Sequence, residues 1–208
     1  MKNNLLSILI ISLIFVSCQS KEEKAAKLIK EEMYKTLYDF SSYQPIETKV
    51  DSAFTTIYHD SIILSYAYLS REYLDKANEA LDKTKEAQSS MEIWSDSYSS
   101  LGESKYKNAR EKFNTSLEEA KGYMSEIKVL QDSIKKRATE FKTTFCGWQA
   151  KHKFRCKTKG GNFDLANYIY VFDPKFKKII YSENIDDEKL VKIRNLINES
   201  LKNDSTSN

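Results

Sequence analysis

The 208-residue chain has few residues that interrupt secondary structure, with only five Gly and two Pro. We therefore expect long elements joined by few turns. Common catalytic patterns are also missing, because no Gly-rich phosphate loop, His-Glu-x-x-His helix or Gly-x-Ser-x-Gly elbow occurs. Only two His are present, His59 and His152. These absences lead us to predict no catalytic residue, no metal site and no cofactor.

An excess of charge of either sign is missing as well. The chain has 33 basic and 30 acidic residues, so no strong field attracts nucleic acid, and we predict no nucleic-acid partner. Charged residues make up 30% of the chain and hydrophobic residues 40%. This composition is typical of a globular protein with many surface helices.

The apolar run at residues 5–16 is too short to cross a bilayer. It contains roughly a dozen residues, whereas a membrane-spanning helix needs about 20. Lys2 precedes the run and the charged residues 21–24 follow it, which is typical of an export signal. We predict a signal peptide over residues 1–17 and no permanent transmembrane helix.

The residues that follow carry a resemblance to a known class. Phe15-Val16-Ser17-Cys18 resembles the lipobox of bacterial lipoproteins, with Phe at a position where Leu is usual. The resemblance implies cleavage before Cys18 and attachment of acyl chains, such as palmitate, to that residue. Stable anchoring needs more than one acyl chain, which diacylation supplies, so residues 18–24 are predicted to form a lipidated tether. The alternative is an ordinary secretory signal with an incidental Cys18.

Residues 25–142 are predicted to form a helical module. An amphipathic helix over residues 21–40 is indicated by apolar residues at steps of three and four: Leu28, Ile29, Met33, Leu37 and Phe40. A second, shorter helical stripe consists of Val50, Ala53, Phe54 and Ile57.

Two long helices joined by a turn at residues 95–102 make up the rest of this module. The first, over residues 61–89, has a stripe at Ile62, Tyr66, Leu69, Tyr73, Ala77, Ala80, Leu81, Thr84 and Ala87. The second, over residues 103–142, has an apolar residue at every seventh position: Tyr106, Phe113, Ala120, Ile127, Ile134 and Phe141. A companion row is assigned to Arg110, Leu117, Met124, Gln131 and Ala138. Because a strict seven-residue repeat indicates a supercoiled seam, we predict a long antiparallel, coiled-coil-like hairpin.

After residue 142 the apolar spacing changes from helical to alternating. A half-buried strand is indicated by alternation at Trp148, Ala150, His152, Phe154 and Cys156. Two further strands, over residues 168–172 and 178–182, follow turns at Gly160-Gly161 and Asp173-Pro174. We predict that residues 143–208 form a three-stranded antiparallel meander and a closing helix over 186–202, with this helix or the hairpin covering the sheet. The whole chain is thus mostly α with a small α+β end.

The carboxy-terminal segment carries a second resemblance. Gly147-Trp148, His152-Lys-Phe-Arg155 and the aromatic strand ending in Phe172-Asp173 resemble a segment of small exported Bacteroidetes proteins. The mature chain as a whole is similar to uncharacterised lipoproteins of that group, and Gln19–Glu23 resembles a short, mixed form of their surface-export signal. The resemblance implies that the protein is located in the cell envelope, at the outer membrane. It assigns no catalytic residue.

Cys146 and Cys156 remain as a pair once Cys18 is set apart. An oxidising compartment favours a disulfide between them, but an unbroken strand separates them by roughly 33 Å, and bridged Cα atoms lie about 4.4–6.8 Å apart. We expect two free, buried thiols, and a bridge requires a bend at Gly147. His152 lies about 13 Å from Cys156 along such a strand, which disfavours a metal site or a Cys–His nucleophile.

Two surfaces are candidates for binding. Lys151, Lys153, Arg155 and Lys157 share one strand face, which suits an anionic glycan, lipid headgroups or an acidic protein surface. We favour the alternative, a solvated face whose lysines discourage edge pairing. At the hairpin tip, Trp94, Tyr98 and Leu101 are either anchors for a partner or a plug for the open end. We favour the plug.

Together these features predict a non-enzymatic lipoprotein of the cell envelope that binds or scaffolds a partner, such as an envelope protein or an anionic glycan. One alternative is a hydrolase or small-ligand-binding enzyme with His152, Arg155 and Tyr168 in a cleft at the sheet. Another is a structural homo-oligomer formed through the helical seam.

Overall fold

A computed structural model describes residues 19–202, and the predicted signal peptide and Cys18 lie outside the described residues. The chain divides into two compact units. The sheet unit contains the described residues up to Thr55 together with Thr144–Asp187, and the helical unit contains Thr56–Thr143 together with the described residues from Glu188 onward. This division differs from the predicted modules 25–142 and 143–208, because each unit is assembled from two separate segments.

The sheet unit contains one helix and four strands. Helix α1 spans Lys21–Thr36, and a short 3-10 helix follows at Phe40–Ser42. The strands are β1 (Gln44–Phe54), β2 (Phe145–Lys157), β3 (Phe163–Phe172) and β4 (Ile179–Asn184), in an antiparallel sheet of order β1-β2-β3-β4. The predicted combination of abundant helix with a small antiparallel sheet is confirmed, but three strands was wrong.

The fourth strand is β1, which was predicted as a helical stripe. Val50, Ala53 and Phe54 have a spacing that also fits one helical turn, but in the structure Val50 lies opposite Ala150 of β2. Pairing along β2 therefore overrides the local helical pattern of these residues.

Helix α1 covers one face of the sheet. Its Ala25, Ile29 and Met33 are buried, and they form one core with Ala150, Phe154, Tyr170 and Phe172 of the strands. Within the sheet unit, this helix supplies the cover that the sequence analysis had assigned to the closing helix or the hairpin. Residues 21–24 were assigned both to a tether and to the predicted helix over residues 21–40, and they lie in the helix.

The first strand pair contains an irregularity that depends on Gly147. The β1–β2 register shifts between Ala53 and Phe54, and Gly147 has a φ of +144°. A Cβ at this position would lie 2.0 Å from the carbonyl oxygen of Phe172. Only glycine allows β2 and β3 to approach this closely.

The helical unit contains the two long helices and the last helix. Helix α2 spans Ser61–Trp94, α3 spans Ser100–Glu140 and α4 spans Glu188–Lys202, with a 3-10 helix at Ile57–His59 before α2. Contacts along α2 and α3 run in opposite directions, since Thr84 Oγ1 lies 2.8 Å from Ser116 Oγ and the rings of Tyr73 and Tyr123 are 5.9 Å apart.

The buried face of α3 includes only one of its two predicted rows. Ala120, Ile127 and Ile134 of the seven-residue row are buried. The companion row was wrong by one position, because the buried residues are Ala109, Ser116 and Leu130 rather than Arg110, Leu117 and Gln131. On α2, four members of the predicted stripe are buried, namely Ala77, Ala80, Thr84 and Ala87. The predicted Ile62, Leu69 and Leu81 are exposed, and Ile63, Ala67 and Ser70 are buried instead.

Helix α4 completes the core of the helical unit. Ile193 and Ile197 are buried with Ile63, Ala67 and Ile134. None of the four helices within residues 19–202 combines the length and the apolar composition that a bilayer-spanning helix needs.

Candidate functional site

His152 is the most enclosed polar side chain of the sheet unit. Only 2% of its surface is exposed, because β2 turns its even-numbered residues toward α1. The imidazole Nε2 lies 2.8 Å from the Tyr43 hydroxyl, and Nδ1 lies 2.9 Å from the Thr48 hydroxyl. The ring therefore links the segment after the 3-10 helix, strand β1 and strand β2.

Burial controls the ionisation of this group. It lowers the pKa of His152 to about 4 and raises the pKa of the Tyr43 hydroxyl to about 12. Near neutral pH the imidazole is uncharged, so one ring nitrogen donates a hydrogen bond and the other accepts one. Both nitrogens have a partner in this arrangement, which stabilises the sheet and leaves neither nitrogen available to a substrate.

The three side chains of the predicted enzymatic alternative do not meet in one cleft. Tyr168 lies opposite His152 in the β2–β3 register and packs on Phe154. Arg155, at an odd position of β2, points to the other face of the sheet. Its guanidinium stacks over the ring of Phe163 at 4.3 Å. The pleat of a single strand thus separates the imidazole from the guanidinium.

Cys146 and Cys156 are free cysteines near the two ends of β2. Burial, with Asp164 and Asp39 nearby, raises the pKa of the Cys156 thiol, which opposes formation of a nucleophilic thiolate. Within residues 19–202, no three His, Cys, Asp or Glu side chains are grouped closely enough to hold a metal ion.

The predicted basic strand face lies on the side of the sheet away from α1. Lys151, Arg155 and Lys157 are exposed there and Lys153 is half-buried. Lys151 lies directly opposite another exposed lysine, Lys49 of β1. The Glu47 carboxylate, opposite Lys153 in the same register, forms an ion pair with the Lys49 Nζ at 2.6 Å. Strand β1 therefore neutralises part of the positive charge of this face.

The aromatic residues of the hairpin tip do not form a plug as expected. The tip is the segment between α2 and α3, where Ser99 caps α3 by accepting a hydrogen bond from the Gly102 N–H. Tyr98 is fully exposed and Leu101 is 63% exposed, while Trp94 is half-buried. Tyr98 and Leu101 are therefore open to a partner.

The capping box at the start of α1 is a feature that the sequence analysis missed. Ser20 accepts a hydrogen bond from the Glu23 N–H, and the Glu23 carboxylate accepts one from the Ser20 N–H, both at 3.1 Å. This capping box has a sequence signature, Ser-x-x-Glu ahead of an apolar stripe, which supports the helix start at residue 21 that the apolar spacing predicts. The Ser20 cap lies two positions after Cys18 in the sequence.

No protein-family model, curated protein or solved structure matches the chain significantly.

Proposed function

We propose that the chain is a lipid-anchored protein of the bacterial cell envelope, acylated at Cys18, whose folded units bind or scaffold a partner without catalysis. The observation that carries this proposal is the capped start of α1. Cleavage before Cys18 leaves the whole Ser20–Glu23 capping box in the mature chain, and it removes the apolar signal without cutting the helix that covers the sheet.

Mass spectrometry of the protein extracted from bacterial membranes tests the anchor. We expect an amino-terminal Cys18 with the added mass of a diacylglyceryl group. The Cys18→Ala variant should lose the acyl group and leave the membrane fraction, whereas the matched Cys146→Ala variant should keep both. An unmodified Cys18, or cleavage at another site, contradicts the proposal.

For location we propose the outer membrane, following the resemblance of residues 15–18 and 19–23 to Bacteroidetes signals. Protease treatment of intact cells separates the two possible faces. A chain on the outside is degraded, while a periplasmic chain is degraded only after the outer membrane is opened. Fractionation with the inner membrane contradicts this location.

For the helical unit we propose a coiled-coil-like hairpin that acts as a rigid arm. Support comes from the three-, four- and seven-residue steps between buried positions of α3 and from the Thr84–Ser116 and Tyr73–Tyr123 contacts. Because this seam already packs within one chain, we prefer the arm to a homo-oligomer joined through the seam. A dimer whose mass depends on concentration, and which is lost in an Ala120→Glu variant that stays folded, contradicts that preference.

For the partner we propose an anionic glycan or an acidic envelope protein that binds the basic strand face, supported by the exposed Lys151, Arg155 and Lys157 on one side of the sheet. The salt concentration that elutes the protein from immobilised heparin tests this charge preference. Reversing Lys151, Lys153 and Arg155 to Glu should lower it strongly. Reversing the hairpin residues Lys83, Lys105 and Lys112 is the control for net charge, and equal effects of the two triple variants contradict a specific site.

A further inference from the structure

Aromatic and basic side chains meet at the start of α1. Lys21, the first residue of the helix, holds its Nζ 3.4 Å from the centroid of the Trp148 ring. The indole N–H donates a hydrogen bond to the Pro174 carbonyl oxygen at 3.1 Å. The ring of Phe176 stacks on Trp148, with centroids 6.0 Å apart and planes 8° apart. The first turn of α1 and the β3–β4 turn thus meet around one indole.

The β3–β4 turn is held in shape from within. The Asp173 carboxylate accepts hydrogen bonds from the backbone N–H groups of Lys175, Lys177 and Lys178. Phe176 has a φ of +52°, a left-handed conformation that is uncommon for an aromatic residue. The three lysines are exposed. We call Lys21, Trp148 and residues 174–178 the Trp148 surface.

The distance along the chain from Cys18 to this surface is short. Lys21 follows Cys18 by three positions, and an extended chain covers at most about 3.6 Å per residue, so the two Cα atoms lie within about 11 Å of each other. Ser20 is fixed as the helix cap, so residues 20 and 21 cannot act as a flexible linker. Acyl chains on Cys18 would therefore bring Lys21 and its neighbours to the level of the lipid headgroups.

Resting on the proposed acylation of Cys18, the geometry points to the Trp148 surface as the contact between the sheet unit and the anionic phospholipid headgroups of the anchoring bilayer. Trp and Lys are the side chains enriched at this depth of a membrane. The local charge is also complementary to an anionic surface. The first turn of α1 and the β3–β4 turn together contain five lysines, at positions 21, 24, 175, 177 and 178, and three carboxylates, Glu22, Glu23 and Asp173.

Fluorescence quenching by lipids tests this contact, because the chain has two tryptophans. The full-length protein is purified in detergent, the acylation of Cys18 is checked by mass, and the protein is placed in vesicles of equal amounts of phosphatidylcholine and phosphatidylglycerol. Part of the lipid carries bromine near the headgroup. In a Trp94→Phe variant, which retains Trp148, we expect emission to fall by about twofold, since the indole lies at the interface. In the matched Trp148→Phe variant, Trp94 should keep its emission.

Charge reversal in the turn provides a second variant that leaves the indole in place. Changing Lys175, Lys177 and Lys178 to Glu in the Trp94→Phe background should restore most of the Trp148 emission at equal acylation. Reversing the hairpin residues Lys83, Lys105 and Lys112 instead should leave the quenching unchanged.

Acylated protein whose Trp148 is not quenched, or whose Trp94 is quenched instead, overturns this inference and leaves the anchor intact. Protein without an acyl group on Cys18 overturns the proposed function and this inference with it. The mass measurement, made before the fluorescence, distinguishes the two failures.

Discussion

The two units of the chain bury side chains of different size. The core of the sheet unit contains large aromatic residues, of which Phe154, Tyr170 and Phe172 are almost fully buried, whereas the buried face of the hairpin consists mainly of Ala, Ser and Thr. Each aromatic side chain removes a large apolar area from water. Small residues instead let two helix backbones approach closely along their length. We therefore expect the sheet unit to be sensitive to lost volume and the hairpin to added volume.

The two tryptophans allow each unit to be followed separately. Trp148 belongs to the sheet unit and Trp94 to the helical unit. Denaturant unfolding of Trp94→Phe protein reports on the first unit, and unfolding of Trp148→Phe protein reports on the second. The stability changes below refer to these two reporters.

The largest effect should come from opposite volume changes in the two cores. Phe154→Ala should lower the free energy of unfolding of the sheet unit by about 4 kcal/mol, because it leaves a cavity. Ala120→Leu should lower that of the helical unit by about 2 kcal/mol, because it forces the helices apart. If Phe154→Ala lowers the free energy of unfolding by less than Ala120→Leu does, the proposed difference between the two cores is wrong.

Two glycines provide the next comparison. Gly147→Ala should destabilise the sheet unit by about 3 kcal/mol, because the new Cβ meets the Phe172 backbone and a positive φ becomes strained. Gly122, within α3, has no atom within 4 Å of an added Cβ. Gly122→Ala should therefore stabilise the helical unit by about 1 kcal/mol through helix propensity. Equal changes at the two positions would show that conformation and close approach do not matter at Gly147.

Acid should weaken the sheet unit through His152. Burial lowers the pKa of this group from 6.5 to about 4, so between these values the unfolded chain binds a proton that the folded unit does not. The free energy of unfolding should fall as the pH is lowered through this window, by up to about 3 kcal/mol. His152→Gln should remove the dependence, and the control His59→Gln should retain it. A Trp148 transition that stays constant from pH 7 to 4 excludes this coupling.

The smallest effect concerns a polar atom in the hairpin core. Within the described residues, Ser70 Oγ is buried without a hydrogen-bond partner. Ser70→Ala should therefore stabilise the helical unit by about 1 kcal/mol. Ser116, whose hydroxyl lies 2.8 Å from that of Thr84, is the matched control, and Ser116→Ala should destabilise the unit by about 1 kcal/mol. Destabilisation by both variants would indicate a partner for Ser70.

The sequence predicted the elements that have a regular hydrophobic repeat. It missed the element that forms only by pairing with a strand far away in the chain. The seven-residue row of α3 and the alternation of β2 are both strong local signals, and both elements occur. Strand β1 pairs with residues about 100 positions away, so the short run at Val50–Phe54 favoured a helix. The buried face of α2 was misplaced in its first half because small residues there, such as Ala67 and Ser70, have little hydrophobic contrast with their neighbours, whereas Ala77 and Ala80 of the second half were predicted correctly.

The candidate sites were predictable to different extents. Alternation alone placed Lys151 and Arg155 together on one face. The turn residues placed Tyr98 between the two long helices, but its exposure differs from the predicted plug. The pairing of His152 with Tyr43 and Thr48 required the position of β1, which the sequence analysis lacked. The start of α1 was predicted by its apolar spacing, but the contact of Lys21 with Trp148 also depends on the packing of α1 on the sheet, which the sequence analysis did not predict.

The insertion of the hairpin between β1 and β2 has a consequence for how the sheet forms. The Thr55 N–H donates a hydrogen bond to the Thr144 carbonyl oxygen at 2.8 Å, across 89 positions of the chain. Closing a loop of that length costs about 4 kcal/mol of chain entropy. The hairpin forms from local contacts, and its base is held by the Arg137 guanidinium, which donates to the Asp60 carboxylate at 2.9 Å.

Once that base has formed, only short segments separate it from Thr55 and Thr144, and the remaining closure cost is about half as large. We therefore expect the helical hairpin to fold first and to act as an internal template that starts the pairing of β1 with β2.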